Sequence, residues 1–181
     1  MPEPAARPRT DPGLARLNAL PPESLRAELA RCLDVERWVA AVAAAAPYRD
    51  RHSLRELADR QAATLTGGEV SAALARHPRI GERPRGEGIE AAWSKGEQSA
   101  FTADPGDAAR RVQRIFAFAQ GEYEERFGRI YLVCASGRSP RELLSDLVTR
   151  LENDEGTELS VIGGELRKIA GLRIERLLDG T

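Results

Sequence analysis

At 181 residues the chain is long enough for one domain with a full core, and 41% hydrophobic with 30% charged residues is the composition of a globular fold. A net charge of -1 excludes the basic excess that a dedicated nucleic-acid binder uses to neutralise phosphates. Cys32 and Cys134 stand far apart without a CxxC pair, which excludes zinc and dithiol motifs; both read as buried thiols of a reducing compartment.

Met1–Pro12 is rich in Pro, Ala and Arg and lacks the apolar stretch of a secretory leader, so a flexible segment over 1–12 ahead of a domain over 13–181 is expected. Pro21-Pro22 lead into a helix over Glu23–Cys32, with Leu25 and Leu29 at helical spacing. Asp34 is placed to cap the next helix, whose stripe is Val35, Trp38, Val39 and Val42 and which Pro47 stops. The run Val39–Ala46 is apolar but far shorter than the ~20 residues of a membrane span. With no peroxisomal address at Gly180-Thr181, a soluble cytoplasmic protein is expected.

Ser53-Leu54-Arg55-Glu56 reads as a capping box opening a helix to Leu65, with Leu54, Leu57, Ala58 and Leu65 inward. Gly67-Gly68 then ends that helix, and Glu69–Arg76 forms a short one that delivers His77. Pro78–Gly88 turns to Gly, Pro and charge, the composition of a long functional loop. Asp107–Arg126 reads as a long amphipathic helix with Val112, Ile115, Phe116, Ala119 and Tyr123 inward, closed by Phe127-Gly128. Ile130–Ala135 is strand-like, but with no second strand to pair with it reads as an extended buried connector. Ser139-Pro140-Arg141-Glu142 is a strong helix start for Leu143, Leu144, Leu147, Val148 and Leu151. After a turn at Asn153–Gly156, Thr157–Leu178 forms the last helix, in which Gly163-Gly164 mark close packing or a break. The whole pattern predicts an all-α, single-domain multi-helix bundle, with an exposed apolar stripe on the early helices as a candidate dimer contact.

Four segments can carry chemistry. His77-Pro78-Arg79-Ile80-Gly81 holds one of two histidines, and an imidazole exchanges protons near neutral pH. Pro78 restricts the histidine backbone to extended angles and ends the helix before it. Taken alone, the stretch reads more simply as a helix-capping histidine on an ordinary loop. Ser94-Lys95-Gly96-Glu97-Gln98 places a carboxylate that can orient an imidazole, although a solvated helix face explains Glu97 as simply. Tyr131-Leu132-Val133-Cys134-Ala135 offers backbone N–H and C=O groups to a polar ligand, unless they are satisfied inside the core. Arg173, in Lys168–Arg173, can grip a carboxylate or ureido oxygen; a surface arginine is the plainer reading. His52 reads as a helix-entry residue, and two histidines without flanking ligands do not make a transition-metal site.

Together these segments resemble the 2-oxo-4-hydroxy-4-carboxy-5-ureidoimidazoline (OHCU) decarboxylase family, over about Leu17–Leu178. The resemblance rests on HPRIG at 77–81, SKGEQ at 94–98, YEERFG at 123–128, IYLVCASGRS at 130–139, the ELLSDLVTRLEND block and ELRKIAGLR at 165–173. It implies an all-helical fold, decarboxylation of OHCU to (S)-allantoin in urate degradation, no cofactor or metal, and a homodimer. By the same resemblance His77, Glu97 and Arg173 are the catalytic residues, with Pro78, Ser94, Lys95, Gly96, Gln98 and Tyr131, Leu132, Val133, Cys134 and Ala135 binding substrate. Family members commonly carry asparagine three residues before the motif tyrosine; this chain has Gln120, an amide one methylene longer. A metal-dependent hydrolase of a related purine-breakdown compound and a catalytically silent helical interaction module remain the alternatives.

Overall fold

The computed structural model describes residues 11–82, 89–102 and 106–180. The chain forms α1 (Pro12–Asn18), α2 (Pro22–Cys32), α3 (Glu36–Ala43), α4 (Arg51–Ala62), α5 (Gly67–Leu74), α6 (Ile89–Glu97), α7 (Ser99–Thr102), α8 (Asp107–Phe127), α9 (Pro140–Arg150) and α10 (Glu155–Asp179). Among the described residues there is no strand, and no helix is long and apolar enough to cross a membrane. The all-α bundle expected from periodicity is therefore the fold.

Two apolar clusters divide the core. The larger gathers Leu17, Leu29, Trp38, Leu54 and Val70 from α1–α5 around Ile162, Leu166 and Ile174 of the long α10. The smaller packs Phe116, Tyr123 and Phe127 of α8 and Leu143 and Leu147 of α9 on Tyr131 and Val133, together with Ile80 and Phe101. The connector 130–135 runs between them, sending Leu132 to the first cluster and Tyr131 and Val133 to the second. It is extended and buried, as its β-branched composition requires, and α8 ends on Gly128 at φ 62°.

Several boundaries differ from the sequence reading. Most of the segment 1–12 lies outside the described residues, but Pro12 is already the first residue of α1, and the Asp11 carboxylate accepts the Leu14 N–H at 3.0 Å. Asp34 caps nothing: Val35 holds the N-cap position of α3 without a side-chain bond, and Asp34 pairs with Arg76. In α4 the cap is Asp50, with Ser53 as the third helical residue of the box, because an aspartate three residues upstream serves as well as the serine. Gly67-Gly68 do not end a helix but form the first turn of α5. Thr66 and Glu69 close a reciprocal capping box around them, which outweighs the low helix propensity of glycine.

Ile115, expected inward, is 47% exposed, since the face of α8 that meets the core runs through Phe116, Ala119 and Tyr123. α10 passes unbroken through Gly163-Gly164; a Cβ on Gly163 would make an ordinary 3.6 Å contact with the Val70 side chain and one on Gly164 would meet open space, so neither a break nor close packing explains the pair. Among the described residues the exposed large apolar side chains are Ile115, Phe118 and Val148, on α8 and α9 rather than on the early helices.

Gly13 shows how closely α1 lies on α10. A Cβ there would sit 1.7 Å from the Leu178 carbonyl oxygen, and Arg16 donates to the Leu177 carbonyl next to it. Gly13→Ala is therefore expected to lower stability by about 1–3 kcal/mol through overpacking. A thermal melt checks this; an unchanged midpoint would mean that α1 does not dock as described.

Candidate active site

His77 emerges where α5 runs out of helix. The terminal carbonyls of a helix lack intrahelical donors, and Ala73 turns its carbonyl to the imidazole Nδ1 at 3.0 Å. A carbonyl only accepts, so Nδ1 carries the proton and Nε2 presents its lone pair. Nε2 is buried and has no partner among the described residues. Burial pushes the imidazole pKa below its ordinary value and the Arg173 charge adds to this, while the Ala73 bond and Glu97 act in the opposite sense. His77 is thus a neutral imidazole near pH 7 with a free basic nitrogen.

Glu97, at the end of α6, and Arg173, on α10, meet 76 residues apart in sequence. Arg173 Nε donates to Glu97 Oε1 at 3.1 Å and Nη2 to Oε2 at 3.2 Å, a forked pair with both side chains buried. Arg173 Nη2 also reaches Ser94 Oγ at 3.2 Å, and Nη1 has a 3.5 Å contact with the Arg31 carbonyl. Arg176, one helical turn on, donates to the same Glu97 Oε1 at 3.0 Å and to the Trp93 carbonyl at 3.2 Å. One carboxylate against two guanidiniums leaves a net positive charge, which suits an anionic ligand. The carboxylate holds the arginines and not the imidazole, whose orientation comes from Ala73.

His77 and Ser94 stand where two cavities adjoin. The smaller, about 20 Å³, has room for about one water. It is lined by His77, Pro78, Ser94, Glu97 and Gln98 and by Tyr131, Leu132, Val133 and Ala135 of the connector. The larger, about 720 Å³, is open; it shares His77, Pro78 and Ser94, adds Arg173, and extends to Arg31 and Cys32 at the end of α2. Lys95 and Gly96 are exposed and line neither cavity, and Cys134 lines neither.

Over residues 18–175 the sequence matches the OHCU decarboxylase family. It is 30% identical over 143 residues to the 2-oxo-4-hydroxy-4-carboxy-5-ureidoimidazoline decarboxylase of Amia calva, covering 77% of this chain and 79% of that protein. It is 34% identical over 111 residues to the uric acid degradation bifunctional protein TTL of Arabidopsis thaliana, a match covering 59% of this chain and 33% of the longer protein. A crystal structure of OHCU decarboxylase in the presence of (S)-allantoin superposes with a TM-score of 0.68 at 25% identity, over 84% of this chain and 97% of the other. The chain belongs to the OHCU decarboxylase family. It is accordingly a lyase of urate degradation.

Within this OHCU decarboxylase fold, Arg176 and Glu165 escaped the sequence reading, and Gln98 and Gln120 make contacts it did not foresee. Gln98 does not merely line the small cavity: its Oε1 accepts the Gly81 N–H at 2.9 Å and its Nε2 donates to the Arg79 carbonyl at 3.3 Å. Gln120, buried on α8, donates from Nε2 to the Ile80 carbonyl at 3.2 Å and lines neither cavity. Two backbone groups of the connector are committed inside the protein: the Cys134 N–H to Glu165 at 2.8 Å and the Leu132 carbonyl to Arg150 at 2.8 Å. Burial pushes the Cys134 thiol pKa up, the opposite of an activated nucleophile. The spacing of Arg173 and Arg176, three apart on one helix, was the available signal for the second guanidinium. Nothing local marks Glu165, whereas Gln120 stands out as the departure from the asparagine that the family resemblance implies.

Proposed function

We propose that this chain decarboxylates OHCU to (S)-allantoin without a cofactor, with His77 as its acid–base group. The observation that supports the reading most is the neutral imidazole: its protonated nitrogen is tied to Ala73, while its free Nε2 is buried where two cavities adjoin, beside a net-positive Glu97–Arg173–Arg176 cluster. The silent-module alternative needs a His77 paired internally on both nitrogens with no adjacent cavity, and neither holds.

OHCU carries a carboxylate and a hydroxyl on one ring carbon, next to a ring C=N bond that can accept electrons. When the carbon–carboxylate bond breaks, carbon dioxide leaves and the electron pair passes to that C=N, whose nitrogen takes up a proton. The hydroxyl then gives up its proton to become the ring carbonyl, and the neighbouring carbon is protonated on one face. His77 Nε2 is suited to receive the hydroxyl proton and return one to carbon. Arg173 attracts the substrate carboxylate, using the Nη1 donors that Glu97 leaves spare. Glu97 keeps the guanidinium plane in place. The 720 Å³ cavity, with His77 and Arg173 in its lining, has room for a ligand of this size, which supports the reading. A cytoplasmic homodimer belongs to this reading, with Ile115 and Phe118 of α8 as the exposed apolar surface available for the contact.

OHCU made in place from urate with urate oxidase and hydroxyisourate hydrolase supplies the test. Circular dichroism should show fast growth of an (S)-allantoin signal on adding the protein; decay at the uncatalysed rate to racemic product would refute the activity. Chelator sensitivity would favour the hydrolase alternative.

The pH profile follows from the lowered His77 pKa. Nε2 is a base only when the imidazole is neutral, so activity is full above the folded-state pKa and falls as pH drops through it. The acidic limb of kcat/KM is expected to have its midpoint below 6.5. A rate that rises on acidification through that range would contradict the base role.

A further inference from the structure

We infer that Gln120 is a positioning residue for the acid–base histidine, acting through the backbone of the loop that follows His77. The inference rests on the decarboxylase reading above. Three successive loop residues are held by side-chain amides: Arg79 and Gly81 by Gln98 from the end of α6, and Ile80 by Gln120 from the middle of α8. The loop is thereby fastened to two different elements. Gly81, at φ 87°, makes the turn that lets both amides reach it, and the Ile80 side chain is buried in the smaller core cluster. Pro78 joins this fastened stretch to His77 through a stiff linkage, so a shift at Ile80 moves the imidazole against the cavities.

The chemistry of Gln120 points the same way. The Ile80 carbonyl can only accept, so the amide is fixed with Nε2 toward the loop and Oε1 away from it. Oε1 is buried without a partner. A leucine would remove the orphaned Oε1 but leave the Ile80 carbonyl without this donor, so it is the bond to the loop that accounts for an amide here. What the amide adds is the bond to the loop, and because Gln120 lines neither cavity its effect on the reaction passes through His77. The groups that face the imidazole are Ala73 from α5, Glu97 from α6 and Arg173 from α10. None of them is touched by a change at Gln120.

Gln120→Leu tests this. The melting temperature is expected to shift by only a few degrees, one orphaned acceptor being exchanged for another, while kcat for OHCU falls about tenfold with KM within about twofold, since a slightly misplaced group costs rate more than binding. The second readout needs no substrate. His77 and His52 are the only histidines, so their titrations separate readily by NMR. Loosening the loop admits water to the imidazole, and the His77 pKa should move up toward 6.5. A wild-type kcat together with an unmoved His77 titration would overturn the inference, and so would a raised KM with intact kcat, which would mean that Gln120 touches substrate. If Gln120→Leu loses helicity, Gln120→Met, of matching length and greater flexibility, is read against the same criteria. If the wild-type protein does not consume OHCU, the activity fails, while the His77 titration still decides the role of Gln120.

Discussion

His77→Asn is expected to lower the turnover of OHCU by about 10²–10⁴-fold while KM changes by no more than a few-fold. The substitution removes Nε2, the one ring nitrogen that the protein leaves without a partner, and leaves Glu97, Arg173 and Arg176 in their own mutual bonds. The groups that attract the carboxylate therefore stay in place and binding persists. What is lost is the acceptor for the hydroxyl proton and the face-selective donor to carbon, so the residual product should also be racemic. Initial rates followed by circular dichroism across a range of OHCU concentrations separate the two parameters. A variant that keeps wild-type kcat would remove His77 from the chemistry, and one that loses affinity alone would recast it as a binding residue.

The second large effect concerns stability. Arg150 on α9 and Glu158 on α10 form a buried ion pair, with contacts of 2.9 Å from Nε and 2.5 Å from Nη2. Glu158 is 0% exposed and also accepts from Tyr123 of α8 and from Asn153, the latter at 2.7 Å. Arg150 in turn stacks over the Tyr131 ring at 4.6 Å and donates to the Leu132 carbonyl at 2.8 Å, so it ties the connector to both helices. Arg150→Met leaves a buried carboxylate without its counter-charge and is expected to destabilise the protein by about 3–5 kcal/mol. For a chain of this length that lowers Tm by roughly 10 °C, at about 2–4 °C per kcal/mol. Arg150→Met combined with Glu158→Gln removes the charge while keeping an acceptor for Tyr123 and Asn153, and should recover most of the loss. A single variant melting within about 2 °C of wild type would show that the pair contributes little.

The same cluster shows where sequence reasoning stopped. Burial of Tyr131 and Leu132 was legible in the composition of 130–135, because β-branched and aromatic residues in a short run favour an enclosed, extended chain. The charges that hold this connector were not legible, since Arg150 and Glu158 look like any other exposed pair on amphipathic helices. The starts of α4 and α5 are set by capping boxes, Asp50 with Ser53 and Thr66 with Glu69, which are local signals lying just upstream of the residues the sequence reading used.

For the site, the sequence by itself determined the segments: a histidine stiffened by Pro78, a polar stretch at 94–98, the buried connector and an arginine on the last helix. Their order identified the family, and periodicity with caps identified the helices, because those signals act within a few residues of the chain. Tertiary structure alone decided which partner each side chain meets. Glu97 grips two arginines instead of the imidazole, Ala73 sets the histidine tautomer, and Gln98 and Gln120 hold the loop from two different elements. The physical reason is range: a hydrogen bond forms over about 3 Å in space, and nothing in local propensity records which residues, 76 positions apart, the packing of α10 against α6 brings within that distance.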